Sequence, residues 1–341
     1  MHRLIKTAVF VLVLIAALFL CEYILRNVVG IVPGTERMVT YQFDDTLGWK
    51  SRADYKYYRS SLYYGHFNYY DPQGFPTDVM RWHEAASSSA SSVAILGSSH
   101  AESYYLPYEQ SFPYLIEKKT GKQVLNLGVS GYAPDQYLLR ARAELPKYDV
   151  SDIVIIFFPY NDLPGIESDE YQGFMKPRFG DSLLAPENLP LVPPAPPKEE
   201  TGIVARVRNS AVYTLLRPVV RKAIAVNLRT SAKQPQPFET EEMSKVFDFF
   251  GEIQKENSSK RVIIYEIPFY REIGDDTLYR ANLVLYETEC AKHALICASM
   301  DPIIATHSRR GEIFIEGDGH VTAYGAKLIA DQLAEILASP R

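Results

Sequence analysis

A pair of serines directly follows a short apolar run, at a point where a strand would turn into a helix. The run Val93-Ala94-Ile95-Leu96 ends in Gly97-Ser98-Ser99, and a mixed polar segment comes next. This pattern predicts a buried strand, a tight turn and a helix that carries the serines in its first turn. Since a helix N-terminus has unpaired N–H groups, a serine there can act as a nucleophile beside donors for an oxyanion. An ordinary serine N-cap fits the same residues.

Three further polar motifs occupy similar places, each at a predicted strand end or in a loop before a helix. The motifs are Asn126-Leu127-Gly128, Tyr160-Asn161-Asp162 and Asp318-Gly319-His320. A serine, an imidazole beside a carboxylate and two polarising groups are what acyl transfer requires. Taken singly, Gly128 fits a tight turn, Asn161 an Asx turn and His320 a surface position. Four such motifs at one sheet edge favour a catalytic site.

Apolar strands alternate with amphipathic helices through most of the chain after residue 92. Five strands are predicted, beginning at Val93, Gln123, Ile153, Arg261 and Leu295. This alternation predicts a parallel sheet with helices on both faces. In such sheets ligands bind beyond the carboxyl ends of the strands, which is where the polar motifs lie.

The alternation is interrupted by an insert at about residues 164–236. The insert holds the proline-rich stretch Leu189–Pro197 and a predicted helix from Ile203 to about Leu228, which Pro218 interrupts. Arginines make this helix locally basic. The basic residues are typical of a solvated helix face. Alternatively, the helix caps the site, or it is a binding surface for an acidic glycan or for the outer headgroups of a membrane.

Residues 1–27 predict a membrane anchor. Arg3 and Lys6 precede an apolar run from Thr7 to Leu25, broken by Glu22, that is just long enough to span a bilayer. The positive flank is expected to stay cytoplasmic, so the rest of the chain is predicted to lie outside, in the periplasm. A cleaved signal peptide is the alternative, although no small-x-small cleavage site follows the run.

Residues 28–92 predict a tyrosine-rich, extracytoplasmic lead-in that packs on the core. The chain has 24 tyrosines, and many of them fall between Tyr55 and Tyr70, where they alternate in part with polar residues. This alternation predicts short strands joined by hairpin-like loops. The tyrosine side chains are expected to pack over the edge of the domain. The alternative is that they stack on sugars.

Charge and cysteine content exclude some kinds of partner. Lys and Arg total 36 against 41 Asp and Glu, a net charge of -5, so no nucleic acid is expected as a partner. The scattered histidines and cysteines show no metal-ligand spacing, and neither a metal nor a cofactor is expected. Cys290 and Cys297 fit either a disulfide across a turn or two small buried side chains.

The four motifs together resemble the SGNH (GDSL-type) hydrolase superfamily, in its membrane-anchored bacterial branch. The resemblance covers roughly Val93–Asn161 and Lys260–Leu337, within a hydrolase-like domain at residues 93–341. It implies a three-layer α/β/α flavodoxin-like fold with a central parallel sheet, in addition to the N-terminal transmembrane helix. Matched by motif, Ser99 would be the nucleophile, His320 the general base and Asp318 the acid that orients it.

The same resemblance implies an oxyanion hole made by the Ser99 N–H, the Gly128 N–H and the Asn161 side-chain amide. Asn126 and Ser130-Gly131 also match the family's Asn-x-Gly-x-x-Gly-like turn. The chain departs from the family at two places: Ser98 stands where an aspartate is usual, and Gly317 stands three residues before the histidine, where the triad acid is common. Glu316 is therefore the alternative to Asp318.

These features predict an anchored serine esterase that removes O-acyl groups, expected to be acetyl, from an envelope or exported carbohydrate through an acyl-enzyme. One alternative is an O-acetyltransferase of a polysaccharide acylation system, with a membrane-bound O-acyltransferase as the partner that supplies the acyl group. A catalytically degenerate protein that binds glycan or acts as a scaffold is the second alternative. Besides an ester substrate, the inner membrane is a predicted partner through the N-terminal helix.

Overall fold

The computed structural model describes residues 2–33, 40–61, 63–180, 182–196, 202–225, 236–307 and 310–340. The strands within these ranges are β1 (Tyr41–Asp44), β2 (Gly48–Ser51), β3 (Tyr55–Ser60), β4 (Gly65–Tyr70), β5 (Pro76–Thr77), β6 (Ser92–Gly97), β7 (Gln123–Asn126), β8 (Val150–Phe157), β9 (Glu170–Tyr171), β10 (Phe174–Met175), β11 (Arg261–Glu266) and β12 (Ile296–Ser299).

Five parallel strands form the central sheet, in the spatial order β12-β11-β8-β6-β7. These are the five strands that the sequence predicts, and each begins within three residues of its predicted start. β6 and β8 lie in the middle of the sheet, and their apolar residues, Val93–Leu96 and Ile153–Phe157, are fully buried. Strands buried on both faces need continuous apolar runs, which is why these two were the clearest in the sequence.

The helices are α1 (His2–Ile24), α2 (Ser99–Glu102), α3 (Phe112–Thr120), α4 (Pro134–Glu144), α5 (Pro159–Ile166), α6 (Ile203–Arg208), α7 (Ala211–Ala225), α8 (Thr240–Glu256), α9 (Asp276–Lys292), α10 (Asp301–Thr306), α11 (Arg310–Ile313) and α12 (Ala323–Ala338). A π-helical segment, Leu25–Val29, continues α1. By length and composition, Arg3–Val29 could cross a membrane.

Helices cover both faces of the sheet and create two apolar cores. On one face α4, α8 and α9 pack, with Phe247 and Phe250 of α8 in edge contact with Phe157 of β8. On the other face α3 packs against α12, where Ile329 and Leu333 share a core with the strand residues. The predicted three-layer α/β/α fold is confirmed.

The tyrosine-rich lead-in forms two small antiparallel units, β1-β2 and β3-β4-β5. Trp49 of β2 is completely buried, stacked on Tyr171 of the insert at 5.2 Å and in edge contact with Tyr132 at 5.3 Å. Its indole N–H donates to the Ser130 carbonyl. The lead-in and the start of the insert therefore pack directly on the loop that follows β7.

Between residues 202 and 225 the structure has two helices, α6 and α7, so the predicted single helix interrupted at Pro218 is wrong. α6 ends before Asn209, α7 begins after Ser210, and Pro218 lies inside α7. The break falls here because Ser210 Oγ accepts the Tyr213 N–H at 3.2 Å, which starts a new helix. The predicted end at residues 226–228 lies outside the described residues, as does Pro197.

Cys290 and Cys297 form a disulfide that joins the end of α9 to β12. The sequence left open a disulfide or two separate buried cysteines, and the structure has the disulfide.

Candidate active site

Ser99 is the first residue of α2, immediately beyond the carboxyl end of β6. Gly97 allows this sharp turn, because its φ is +150° and a Cβ there would lie 2.8 Å from the Ala101 side chain and 3.0 Å from the Ile156 carbonyl oxygen. The chain therefore passes from strand to helix in close contact with β8, and Ser99 is held at the sheet edge.

Ser99, His320 and Asp318 lie together although 221 residues separate the serine from the histidine. Ser99 Oγ is 2.9 Å from His320 Nε2, and His320 Nδ1 is 2.5 Å from Asp318 Oδ1. Because a carboxylate only accepts hydrogen bonds, Nδ1 carries the proton and Nε2 accepts from the serine hydroxyl. This is the nucleophile, base and acid arrangement of acyl transfer.

The spacing of Asp318 and His320 depends on a glycine-rich turn. Gly317 and Gly319 have φ of +82° and +96°, a region that glycine adopts readily. The turn is closed by the Ile315 N–H donating to the His320 carbonyl at 2.7 Å. In this turn the Asp318 carboxylate reaches Nδ1 of His320, whereas Glu316 is exposed.

Aromatic rings fix the orientation of His320. Tyr105 stacks on the imidazole with ring centroids 4.4 Å apart, and Tyr104 contacts it edge-on at 5.3 Å. The His100 ring lies 4.9 Å from the His320 ring. Burial, and secondarily the neighbouring His320, hold the pKa of His100 well below its usual value, so His100 stays neutral. A neutral neighbour avoids charge repulsion when His320 takes up a proton.

Gly128, the predicted oxyanion donor, already has a hydrogen-bond partner. Its N–H donates to Asn126 Oδ1 at 3.0 Å, while the Asn126 amide donates to the Ala101 carbonyl at 2.9 Å. A Cβ at residue 128 would lie 2.5 Å from the Glu102 nitrogen. Gly128 thus lets the loop after β7 approach α2 closely, and its role as a donor stays a prediction.

Gly131 lies further along the same loop. The Leu127 and Val129 N–H groups donate to the carbonyls of Ile95 and Gly97, so the loop continues beside β6 towards Ser99. Among the described residues the Gly131 N–H has no hydrogen-bond acceptor. Its φ is +82°, and a Cβ would lie 2.3 Å from the Tyr171 ring, so a glycine is needed here.

Asn161, the other predicted oxyanion donor, follows β8 in the first turn of α5. Its amide donates to the Tyr132 carbonyl at 2.9 Å and to Asp162 Oδ1 at 3.0 Å. Both amide hydrogens are therefore used, and one of these bonds must be exchanged for Asn161 to reach an oxyanion. That role also stays a prediction.

Asp162, which accepts from Asn161, is completely buried. Its carboxyl also accepts from the Tyr137 hydroxyl at 2.7 Å and from the Phe158 N–H at 3.0 Å. Burial raises the pKa of Asp162 to about 7, although these hydrogen bonds oppose the shift. The folded protein therefore keeps Asp162 protonated to a higher pH than the unfolded chain does.

A pH-dependent stability follows from Asp162. The folded pKa of Asp162, about 7, exceeds its ordinary value of 3.8. The protonated carboxyl therefore contributes fully to the free energy of unfolding below about pH 4, and this contribution is lost as the pH rises through 7. Asp162→Asn imitates the neutral acid and does not titrate. Its free energy of unfolding, relative to that of wild type, should therefore increase by about 2 kcal/mol or more from pH 4 to pH 8. Urea unfolding across this range measures the difference, with exposed Asp149→Asn as the control. A pH-independent difference would contradict the prediction.

Glu102, at the end of α2, connects the lead-in to the site. Its buried carboxyl accepts from the Tyr41 hydroxyl at 2.9 Å, the Tyr70 hydroxyl at 2.6 Å and the Ser130 N–H at 2.6 Å. The donors come from β1, β4 and the loop after β7. Two tyrosines of the lead-in thus position the helix that carries Ser99.

Removing this carboxyl should destabilise the protein substantially. Glu102→Ala removes three buried hydrogen bonds that the carboxyl accepts, and removing the acceptor of a buried donor costs about 1–3 kcal/mol, so we expect a loss of about 3 kcal/mol or more. Glu102→Gln keeps an acceptor oxygen and should lose about 1 kcal/mol. Unfolding in urea gives these values, and exposed Glu109→Ala is the matched control. A loss for Glu102→Ala no larger than the control's would contradict the proposed connection.

The sequence predicted the triad residues but missed the groups that support them. Glu102, Tyr104 and Tyr105 directly follow the serine motif, yet a buried glutamate cannot be distinguished from an exposed one by its neighbours in sequence. No signal in the sequence marked Glu102 as buried, because the segment at residues 98–103 is mostly polar.

Comparison with known proteins gave matches among solved structures. No protein-family model matches the sequence, and no curated protein matches it significantly. A lipolytic protein of the G-D-S-L family from Veillonella parvula is 13% identical, with a TM-score of 0.43 over 74% of this chain and 100% of that one. The lipase/acylhydrolase from Enterococcus faecalis is 13% identical, with a TM-score of 0.41 over 72% and 95%.

A psychrotrophic esterase from Pseudoalteromonas is 12% identical, with a TM-score of 0.38 over 72% of this chain and 96% of that one. With TM-scores below 0.5, these similarities carry no argument about this chain. Its own five parallel strands, with helices on both faces, form the three-layer α/β/α fold that the motif resemblance to the SGNH hydrolases implies.

Proposed function

We propose that this protein is an extracytoplasmic serine esterase of the SGNH type that removes O-acyl groups, expected to be acetyl, from a carbohydrate. The observation that carries the proposal is the chain of hydrogen bonds from Ser99 through His320 to Asp318. A scaffold protein without chemistry has no need to align these three side chains at one sheet edge.

The reaction proceeds in two steps. Ser99 Oγ attacks the acyl carbonyl carbon as His320 Nε2 takes the hydroxyl proton, and Asp318 stabilises the imidazolium that forms. The tetrahedral intermediate collapses when His320 returns this proton to the leaving alcohol oxygen, which gives an acyl-enzyme and a free sugar hydroxyl. Water, deprotonated by His320, then attacks the acyl-enzyme and releases the carboxylic acid and Ser99.

The oxyanion needs donors, and the hydrogen bonds of the loop after β7 favour Gly131 over Gly128. The Gly128 N–H is held by Asn126, whereas the Gly131 N–H has no acceptor within the described residues. We therefore assign the hole to the N–H groups of Ser99 and Gly131, with Asn161 as a third donor once one of its present bonds is exchanged.

Exposed aromatic residues near the triad support a carbohydrate substrate. Tyr160 is exposed and stacks on Phe269 with ring centroids 4.1 Å apart and planes 7° apart. Exposed Tyr63 lies against Gly317, in the glycine-rich turn that holds Asp318 and His320. Rings that are flat, apolar on the face and polar at the edge suit the faces and hydroxyls of sugars.

The proposed location follows from the N-terminal helix and the disulfide. α1 and its continuation are long and apolar enough to span a bilayer, and the basic residues Arg3 and Lys6 favour a cytoplasmic N-terminus. The disulfide between Cys290 and Cys297 fits an oxidising compartment, which supports placing the catalytic domain in the periplasm.

Labelling the full chain in detergent with a fluorophosphonate tests the proposal. We expect an adduct on Ser99 and hydrolysis of 4-nitrophenyl acetate and of an O-acetylated oligosaccharide. If neither an adduct nor hydrolysis is found, the protein is not a serine esterase. If acetyl groups go to an added sugar acceptor faster than to water, the enzyme is an O-acetyltransferase.

A further inference from the structure

The insert helices α6 and α7 each expose an apolar face. On α6, Ile203 has 79% of its surface exposed, and on α7, Val219 has 68% exposed. In both helices the exposed apolar residues follow the spacing i, i+1, i+4, which places them on one side. The two sets are Ile203, Val204 and Val207, and Leu215, Leu216 and Val219.

These helices are attached to the end of the proposed membrane anchor. Glu22 of α1 accepts from Ser210 Oγ at 2.8 Å and from the N–H groups of Ala211 and Val212 at 2.9 and 3.1 Å. Arg26 donates to Glu22 at 2.5 Å and to the Asn209 carbonyl. The carboxylate that interrupts the apolar run thus caps the N-terminus of α7.

A groove of about 400 Å³ lies between the anchor and the insert helices. It is lined on one side by Ile15, Leu18 and Phe19 of α1, and on the other by Arg206 and Val212. Ile15 precedes Glu22 by seven residues, which is about 10 Å along a helix. If α1 spans the bilayer, residues that line this groove lie at or below the headgroups.

The charge of the insert helices suits a lipid surface. Residues 202–225 contain five basic residues and no acidic one, whereas the whole chain has a net charge of -5. The basic residues are Arg206, Arg208, Arg217, Arg221 and Lys222. Basic residues combined with an exposed apolar face are typical of helices that lie in the plane of an anionic bilayer, buried by about 5–10 Å.

We propose that α6 and α7 form an interfacial helix pair that lies in the outer surface of the bilayer beside α1, with acyl chains filling the groove between them. The bilayer covers the exposed apolar faces, and the positive charge of residues 202–225 attracts anionic headgroups. Because α7 also packs on β3 of the lead-in, the pair holds the catalytic domain at the membrane surface. The inference rests on the proposed anchor and is independent of the esterase activity.

Spin labels placed on the full chain test this arrangement. Cysteines replace Val207 and Val219 singly in a Cys21→Ser background, and the protein is reconstituted in vesicles of phosphatidylcholine and phosphatidylglycerol. Val284→Cys is the matched control, because Val284 is also an exposed apolar residue on a helix, α9. Collision rates with oxygen and with a water-soluble nickel chelate are measured by electron paramagnetic resonance.

We expect the labels at 207 and 219 to collide several-fold more often with oxygen than with the nickel chelate, and the label at 284 to show the reverse. Labels at 207 and 219 as accessible to nickel as the control would overturn the proposal. Labels shielded from both reagents would also overturn it, because a protein surface would then cover the helices. Hydrolysis of 4-nitrophenyl acetate by the same samples reports separately on the esterase.

Discussion

Replacing Ser99 with alanine should lower kcat for ester hydrolysis by about 10⁴-fold or more. The Ser99 hydroxyl, from which His320 accepts at 2.9 Å, is the protein group that forms the acyl-enzyme bond in the proposed mechanism. Without it, the oxyanion donors and substrate binding leave only a residual rate. Steady-state kinetics with 4-nitrophenyl acetate measure the loss, and mass spectrometry should show no fluorophosphonate adduct on the variant.

Ser98→Ala is the matched control for this loss. Ser98 is adjacent in sequence, but its side chain is buried near the Tyr137 hydroxyl, which itself donates to Asp162. We expect this variant to keep kcat within about tenfold of wild type, since Ser98 contacts no reacting atom. Activity that survives Ser99→Ala and disappears with Ser98→Ala would make Ser98 the nucleophile instead.

Asp318→Asn should lower kcat by about 10³–10⁴-fold with little change in KM. The amide can no longer hold His320 with Nε2 free to accept, and it does not stabilise the imidazolium that forms when Ser99 attacks. Because neither effect acts on substrate binding, the loss falls on the chemical step. Initial rates over a range of substrate concentrations give kcat and KM separately, and a rise in KM with kcat unchanged would contradict the prediction.

Glu316→Gln is the comparison that decides which acid serves the histidine. Glu316 is exposed, and the structure places Asp318 Oδ1 at 2.5 Å from His320 Nδ1. We therefore expect Glu316→Gln to retain activity within about twofold. The reverse pattern, a large loss for Glu316→Gln and a small one for Asp318→Asn, would move the acid of the triad to Glu316.

The sequence predicted the sheet well because its central strands, β6 and β8, are short, buried and largely apolar on both faces. A run such as Ile153–Phe157 has few other ways to bury its side chains, so local pattern and tertiary position agree. The motifs at the strand ends were also visible, since parallel strands bring their carboxyl ends to one edge. Asp318 and His320 lie in the loop before α12, and the resemblance to the SGNH hydrolases grouped them with Ser99 as a triad.

The oxyanion donors could not be assigned from the sequence. Gly128 and Gly131 are both glycines in one loop, and their types give no information about which N–H group is free. That depends on the Asn126 side chain, which folds back on Gly128, and on the register of the loop beside β6. Hydrogen-bond partners of this kind are determined by tertiary packing, so residue types alone do not predict them.

The tyrosine-rich lead-in and the insert show the same limit. Their composition indicated short strands and a basic helix, but their function depends on contacts with distant parts of the chain. Tyr70 reaches Glu102 across 32 residues, and Ser210 reaches Glu22 across 188. The sequence by itself determined the sheet and the residues that could carry out acyl transfer, because these follow from local burial and from residue type. Only the tertiary structure decided which residues support Ser99, His320 and Asp318 and which residues pack against α1, because each of those contacts needs two distant segments to pack together.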